Sequence, residues 1–286
     1  MKYRHAFHAG NFGDVHKHVT LLALLAAMKR KDTGFLYLES HAGRGCYDLA
    51  DSPRESAGGI ERLAAARPVA EELRQLADRI AGLRESSGRA RLYPGSPILA
   101  ATELRAEDRA ILVERLPAEA RALERTLARL APRPGRMRVE VGDGFERLRA
   151  LLPPPQRRAL ILIDPPYEES RLDFERARRA LEDTLGRFRP AVVAIWYPIK
   201  DERDTRPWLA ALAAHAGCEL LCAELWLYPR DSRVALNGSG IVIANPPFRL
   251  EERMRLWLPE LHACLDVGHG GGTSVRRLGS EPAPPG

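Results

Sequence analysis

Five short apolar runs, four of them closing on an acid, a glycine turn or a proline pair, constrain this chain more than any other feature. They are FLYLE (35–39), AILVE (110–114), MRVEV (137–141), ALILID (159–164) and AVVAIWY (191–197). Their length and branched composition predict buried strands. Helical patterns lie between them, so the chain predicts βαβ units and a mostly parallel α/β sheet. ELLCAELWLY (219–228) and GIVIAN (240–245) add a closing pair, for seven strands. Ahead of the first strand, Val15, Val19, Leu22 and Leu25 recur at helical spacing. A helix is expected there from Asp14, its cap, to Lys31, broken by Asp32-Thr33-Gly34. Between the first and second strands, residues 46–95 read as a helical insertion. Val69, Leu73, Leu76, Ile80 and Leu83 make its apolar stripe, and Ser86-Ser87-Gly88 ends it. Residues 1–13 are polar and aperiodic, residues 14–267 form the main domain, and the Gly- and Pro-rich tail from 268 to 286 is expected to be mobile.

The 44 Lys and Arg exceed the 38 Asp and Glu, a formal charge of +6. A basic excess suits a nucleic-acid partner, because phosphates attract these side chains and release counterions on binding. It suits many other enzymes too. The four cysteines, Cys46, Cys218, Cys222 and Cys264, form no CxxC pair and no zinc tetrad, and read as reduced thiols of a cytoplasmic protein. MKYRHAFHAG has no apolar signal run, and the Leu/Ala stretch at 19–28 is too short to span a bilayer, so no membrane partner is expected.

On a parallel sheet, ligands bind outside the carboxyl ends of the strands. Those ends carry the chemistry. Glu39 is followed by Ser40-His41-Ala42-Gly43-Arg44-Gly45, whose glycines allow the backbone to approach a ligand. No Gly-Lys-Ser/Thr follows, which excludes a P-loop, and no third glycine opens a helix. A nucleoside without phosphates fits better than a dinucleotide. Glu114 ends the second strand, where a carboxylate can accept from two ribose hydroxyls. Gly142-Asp143-Gly144 follows the third, where Asp143 can accept from an adenine amine. A glycine turn, an acid and an Asp at successive strand ends describe an adenosine pocket.

Asp164-Pro165-Pro166-Tyr167 follows the fourth strand. Each proline fixes φ and removes a donor, which stiffens the corner. An adenine N6 amine is a poor nucleophile, its lone pair drawn into the ring. The Asp164 side chain and the Pro165 carbonyl can accept from its two hydrogens and favour a pyramidal nitrogen able to attack a sulfonium methyl group. Asp164 can also take the proton. Tyr167 offers a face for the extruded base, worth roughly 1–3 kcal/mol. Asn245-Pro246-Pro247-Phe248 has the same pattern after the last strand. Its strand should lie farther out, whereas the fourth strand should neighbour the first at the switch point. Asp164, Pro165 and Tyr167 are therefore the catalytic candidates.

Taken together, YRHAFHAGNFGDVHKH, FLYLESHAGRG, YPGSP (93–97), ALILIDPPY, WYP (196–198) and the later NPP resemble the bacterial 23S ribosomal RNA adenine-N6 methyltransferases. The similarity runs from residue 3 to about 265, departing between Glu114 and Met137 and again after 268. It implies a Rossmann-like methyltransferase fold with a small helical insertion. It also implies S-adenosyl-L-methionine as methyl donor and protein-free 23S ribosomal RNA as substrate. Carried over by motif, His18, His41, Ser96, Glu114, Asp143, Gly144 and Asp164 correspond to cofactor contacts, beside Gly43 of the glycine turn. Tyr3, in the YRH start, corresponds to an RNA contact, with Arg4 next to it. A monomer is expected.

His5, His8, His16 and His18 cluster in sequence, but neither an HxxxH face nor an HExxH is present, so no metal is expected. Lys2, Arg4 and the insertion's Arg62, Arg67, Arg74, Arg79, Arg84, Arg89 and Arg91 are candidates for the RNA path, against the plainer reading of a solvated helix face. Three other functions share parts of this pattern. A DNA adenine-N6 methyltransferase would use the same four residues, though no separate DNA-reading domain is evident. A small-molecule or protein-glutamine methyltransferase would more naturally carry Asn in place of Asp164. A non-catalytic RNA-binding relative would not need Asp164 and Tyr167 intact.

Overall fold

A computed structural model describes residues 9–279 except 52, 169, 201, 231, 233, 235, 267 and 269. Its centre is an eight-stranded sheet, in the order β10-β8-β9-β7-β6-β1-β4-β5. The strands are β1 (Leu36–Glu39), β4 (Arg109–Glu114), β5 (Met137–Val141), β6 (Ala159–Ile163), β7 (Val192–Ile199), β8 (Leu220–Trp226), β9 (Gly238–Ala244) and β10 (Gly272–Leu278). β5, β4, β1, β6 and β7 run parallel, whereas β9, β8 and β10 join by antiparallel pairings. The order reverses between β1 and β6, which makes the sheet Rossmann-like and puts the switch point where the sequence pattern places it.

The eighth strand was not expected. Gly272–Leu278 pairs antiparallel with β8 along its whole length, within the segment read as a mobile tail. Its composition, Gly-Thr-Ser-Val-Arg-Arg-Leu, is half-polar, and none of its residues is fully buried, because an edge strand pairs along one side only. The central strands are the reverse: every residue of β1, β6 and β9 is buried, which explains why these segments read as continuous apolar runs.

Two helical layers cover the sheet. One holds α1 (Phe12–Met28), α5 (Ser96–Glu103), α6 (Pro117–Leu130) and α10 (Leu250–Leu265). The other holds α7 (Gly144–Leu151), α8 (Ser170–Arg187) and α9 (Glu202–His215). α1 begins earlier than Asp14. Asn11 caps it, its Oδ1 accepting from the Asp14 N–H at 2.9 Å, and Lys29 closes it. The insertion carries α2 (Pro53–Ala57), α3 (Ile60–Ala66) and α4 (Glu71–Ser87). It is clasped by a small antiparallel pair, β2 (Cys46–Asp48) with β3 (Leu92–Pro94). Leu73, Leu76 and Ile80 bury as the stripe demands, and Gly88 caps α4 in the left-handed region. Val69 lies ahead of the helix and is exposed. No described helix is long and apolar enough to cross a membrane.

Candidate active site

The carboxyl ends of β1, β4, β5 and β6, with the first turns of α1, bound a cavity of about 1030 Å3. His18, His41, Gly43, Ser96, Glu114, Asp143, Gly144, Asp164 and Pro165 all line it. Nine residues scattered over the chain from 18 to 165 thus meet in one place, because each follows a parallel strand or stands on a helix packed over that edge.

Its floor is built for close backbone approach. Gly43 has φ +62°, and a Cβ there would meet the Tyr47 hydroxyl at 2.4 Å. A Cβ on Gly144 would meet the Ser40 carbonyl at 2.0 Å. Glu114 accepts from the Gly43 N–H at 2.8 Å and the Leu116 N–H at 2.7 Å. A carboxylate offers about four lone-pair sites, so two remain for a ligand. Asp143 caps α7, accepting from the Phe145 and Glu146 N–H groups, and pairs with Arg176 at 2.6 Å. Burial alone would raise its pKa, but Arg176 and the α7 amides hold it below the usual carboxylate range. Burial lowers His41 to about 4, so a neutral imidazole faces the cavity near pH 7. His18 Nδ1 meets the Tyr93 hydroxyl at 2.8 Å, and Ser96 donates a short bond to Glu39. The volume stands at the top of the usual range for a small-molecule site, roughly 300–1,000 Å3. The Gly-floored side, with lone pairs left at Glu114, fits a nucleoside cofactor.

The other side of the cavity is the proline corner. Asp164 is not alone there. Lys17, itself 4% exposed, donates to Asp164 Oδ2 at 2.7 Å and to Asp14 Oδ1 at 2.8 Å. Burial pulls the lysine pKa down, but the two carboxylates outweigh it and hold the ammonium well above its ordinary value. One Asp164 oxygen is thereby fixed in orientation. Sequence reasoning passed over Lys17. The available signal was a lysine three residues after Asp14 on a helix whose later turns, Leu21 to Met28, are wholly apolar.

Tyr167 does not line the cavity. It is 1% exposed, its ring packs on Phe174 (4.9 Å between centroids) and Trp196 (5.9 Å), and its hydroxyl donates to the Trp196 carbonyl at 2.7 Å. The expected stacking face is turned into the core. The reason is its backbone: Tyr167 sits at φ +51°, a conformation costing a bulky residue on the order of 1–3 kcal/mol. That turn swings the side chain away from the opening. The half-buried aromatic that does line the cavity is Trp196, with Lys17 Nζ 5.7 Å from its ring centroid and its Nε1 donating to Ser239 Oγ at 2.9 Å.

Tyr3 and Arg4, with Lys2, lie outside the described residues. In the insertion, Arg62 donates to the Leu265 and Asp266 carbonyls and Arg84 to the Leu92 carbonyl. Arg79 pairs with Glu103 and Arg89 with Asp48. Four of the seven arginines therefore hold the insertion in place, which favours the plainer reading for them. Among the described residues no group of three or more His, Cys, Asp or Glu side chains could hold a metal ion.

Known proteins resemble this chain over nearly its whole length. Ribosomal RNA large subunit methyltransferase J of Escherichia coli (strain K12) is 36% identical over 269 residues, covering 93% of this chain and 94% of that one. The protein of the same name from Haemophilus influenzae is 36% identical over the same coverage. The crystal structure of protein LPL1258 from Legionella pneumophila superposes with a TM-score of 0.84 at 32% identity, covering 95% of this chain and 99% of that one. The family described as ribosomal RNA large subunit methyltransferase D, RlmJ, matches residues 32–277. With the strand-end cavity and its proline corner, these matches make the chain a member of the RlmJ family of ribosomal RNA large subunit methyltransferases.

Proposed function

We propose that this chain methylates the N6 amine of an adenine in protein-free 23S ribosomal RNA, with S-adenosyl-L-methionine as donor. The observation that carries the reading is the Asp164-Pro165 corner opening on the same cavity as the glycine floor and Glu114, with one Asp164 oxygen clamped by Lys17.

The cofactor, when bound, supplies a methyl group on a positively charged sulfur. Glu114 has lone pairs left for ribose hydroxyls, and Gly43 and Gly144 let the floor pack closely against Tyr47 and Ser40. His18, His41, Ser96 and Asp143 complete the cofactor contacts. The target base enters beside Trp196. Asp164 Oδ1, left by the clamp on Oδ2, accepts from one N6 hydrogen and the Pro165 carbonyl from the other. Both bonds strengthen as the nitrogen becomes pyramidal, so they favour the transition state over the planar amine. As the nitrogen gains the methyl it sheds a proton, which the Asp164 carboxylate takes. Lys17 then keeps its bond to Asp14, so neutralising Asp164 does not strand a buried ammonium. Tyr167 acts by holding the corner rather than by touching the base. Tyr3 and Arg4 contact the RNA. Extruding the base costs a few kcal/mol, least from a loop or single strand.

Calorimetry with S-adenosyl-L-methionine, followed by methyl transfer to a 23S transcript and to an adenine-containing DNA duplex, tests the reading. Binding and transfer to the transcript alone are expected. Transfer to the duplex alone would assign the chemistry to DNA.

A further inference from the structure

Two fully buried polar residues, His16 of α1 and Ser239 of β9, stand behind Trp196 and outside the cavity that Trp196 lines. Strand register brings them together. Trp196 of β7 lies opposite Ile241 of β9, so Ser239, two residues along, is its diagonal neighbour on the same face. α1 covers that face. A Cβ on Gly13 would come within 3.3 Å of the indole Cζ2 and 3.8 Å of the Ser239 Cβ.

The hydrogen bonds among the three have a direction. An indole Nε1 can only donate, so Ser239 Oγ accepts from Trp196 at 2.9 Å. The other contact of that oxygen is His16 Nδ1, at 3.0 Å. Burial lowers the His16 pKa to about 3, against an opposing pull from the Ser239 backbone, so the ring is neutral and one of its nitrogens accepts. His16 Nε2 is buried without a partner. If Nδ1 carried the proton, the Ser239 hydrogen and the Nε2 lone pair would both be stranded. If Ser239 donates to Nδ1, only the Nε2 hydrogen is. The second arrangement wastes less, and it makes a chain from Trp196 to Ser239 to His16. A leucine at position 16 would strand no nitrogen between β9 and Trp257 of α10, whose ring centroid is 6.1 Å away. Packing alone therefore does not account for an imidazole here, whereas an acceptor for Ser239 does.

The near end of this chain is the aromatic wall of the proline corner. Lys17 Nζ lies 5.7 Å from the Trp196 ring centroid and 2.7 Å from Asp164 Oδ2, which sets the indole beside Asp164. Side-chain freedom that a ring must give up on binding weakens the contact it makes. A bond from the polar edge of the indole to Ser239 removes that freedom in advance, provided that the serine is itself held. His16 Nδ1 holds it.

We propose that Ser239 and His16 are positioning residues that fix the Trp196 indole as the face against which the extruded adenine rests, an inference that rests on the adenine reading above. Neither residue touches the base or the cofactor. Both act through the Trp196 Nε1 hydrogen, so they matter only while that hydrogen is present.

The test uses full-length enzyme, S-adenosyl-L-methionine and a 23S transcript. S239A is expected to raise KM for RNA about 3–10-fold, and H16L about 2–5-fold, with kcat at saturating RNA held, since a contact made equally before and during reaction shows in KM alone. H16N, whose amide oxygen can stand near the place of Nδ1, should lie closer to wild type than H16L. The decisive arm is W196F, which lacks the Nε1 hydrogen. In that background S239A and H16L should add nothing to KM. A merely structural role would carry its full effect into W196F. An unchanged KM in S239A or in H16L, or a rise that persists undiminished in W196F, overturns the positioning role while leaving the adenine reading intact. A wild-type enzyme that methylates no adenine of the transcript overturns both.

Discussion

Two strands of this sheet end in nearly the same four residues, Asp164-Pro165-Pro166-Tyr167 after β6 and Asn245-Pro246-Pro247-Phe248 after β9. β6 runs parallel to β1, so its end faces the cavity. β9 runs antiparallel to β7, with Ala244 beside Val193, so its end lies at the opposite edge. There Asn245 Nδ2 donates to the Arg189 and Ala191 carbonyls at 2.9 and 2.8 Å, and Phe248 is 81% exposed. The turns differ too: the left-handed residue is the fourth in one motif, Tyr167, and the first in the other, Asn245. The same spelling gives a corner of the cavity in one place and a clasp between chain segments in the other, and strand direction decides which. Lateral distance does not, since β9 lies only two strands from β6.

The contrast can be broken by substitution. The largest effect is expected at Asp164. D164A should lower kcat by about 10²–10⁴-fold, the usual worth of a positioned proton acceptor, with a much smaller rise in the Kd for S-adenosyl-L-methionine, of which it is one contact among several, by calorimetry. Next is K17M, which leaves Asp14 and Asp164 without their shared cation. Breaking such a buried pair costs about 3–5 kcal/mol, visible as a lowered urea midpoint together with lost activity. N245D, which brings the second motif closer to the first, should restore no transfer in the D164A background.

Y167F separates holding from stacking. Loss of the hydroxyl leaves the Trp196 carbonyl unpaired, at about 1–3 kcal/mol, so stability and kcat should fall with KM for RNA unchanged. A silent Y167F with a raised KM in Y167A would return Tyr167 to the base. At the clasp, N245A should cost about 1–2 kcal/mol of stability for its two hydrogen bonds. F248A should stay within about 0.5 kcal/mol of wild type in denaturant melts. Neither should change kcat/KM.

Much of the architecture was legible because buried parallel strands announce themselves. FLYLE, AILVE and ALILID fall on β1, β4 and β6 with at most one residue to spare. The segments after these strands and after β5 could then be read as a group, and His41, Gly43, Glu114, Asp143, Gly144, Asp164 and Pro165 do line one cavity, whereas His18 and Ser96, on α1 and α5, were named only through the family resemblance. Three features were hidden for physical reasons. β10 pairs only along one edge and so carries no strong alternation. Lys17 looks like any helix lysine until tertiary packing buries it between Asp14 and Asp164. The outward face expected of Tyr167 depended on a φ that two preceding prolines do not determine.

The central claim, that the corner grips an aminopurine by its NH2 hydrogens, is tested most directly by the chemical form of the product. A 23S transcript methylated with labelled S-adenosyl-L-methionine would be digested to nucleosides and resolved by chromatography and mass spectrometry. The label is expected in N6-methyladenosine, and to vanish with D164A. Label in a ribose, in a ring nitrogen or in any base other than adenine would contradict the account.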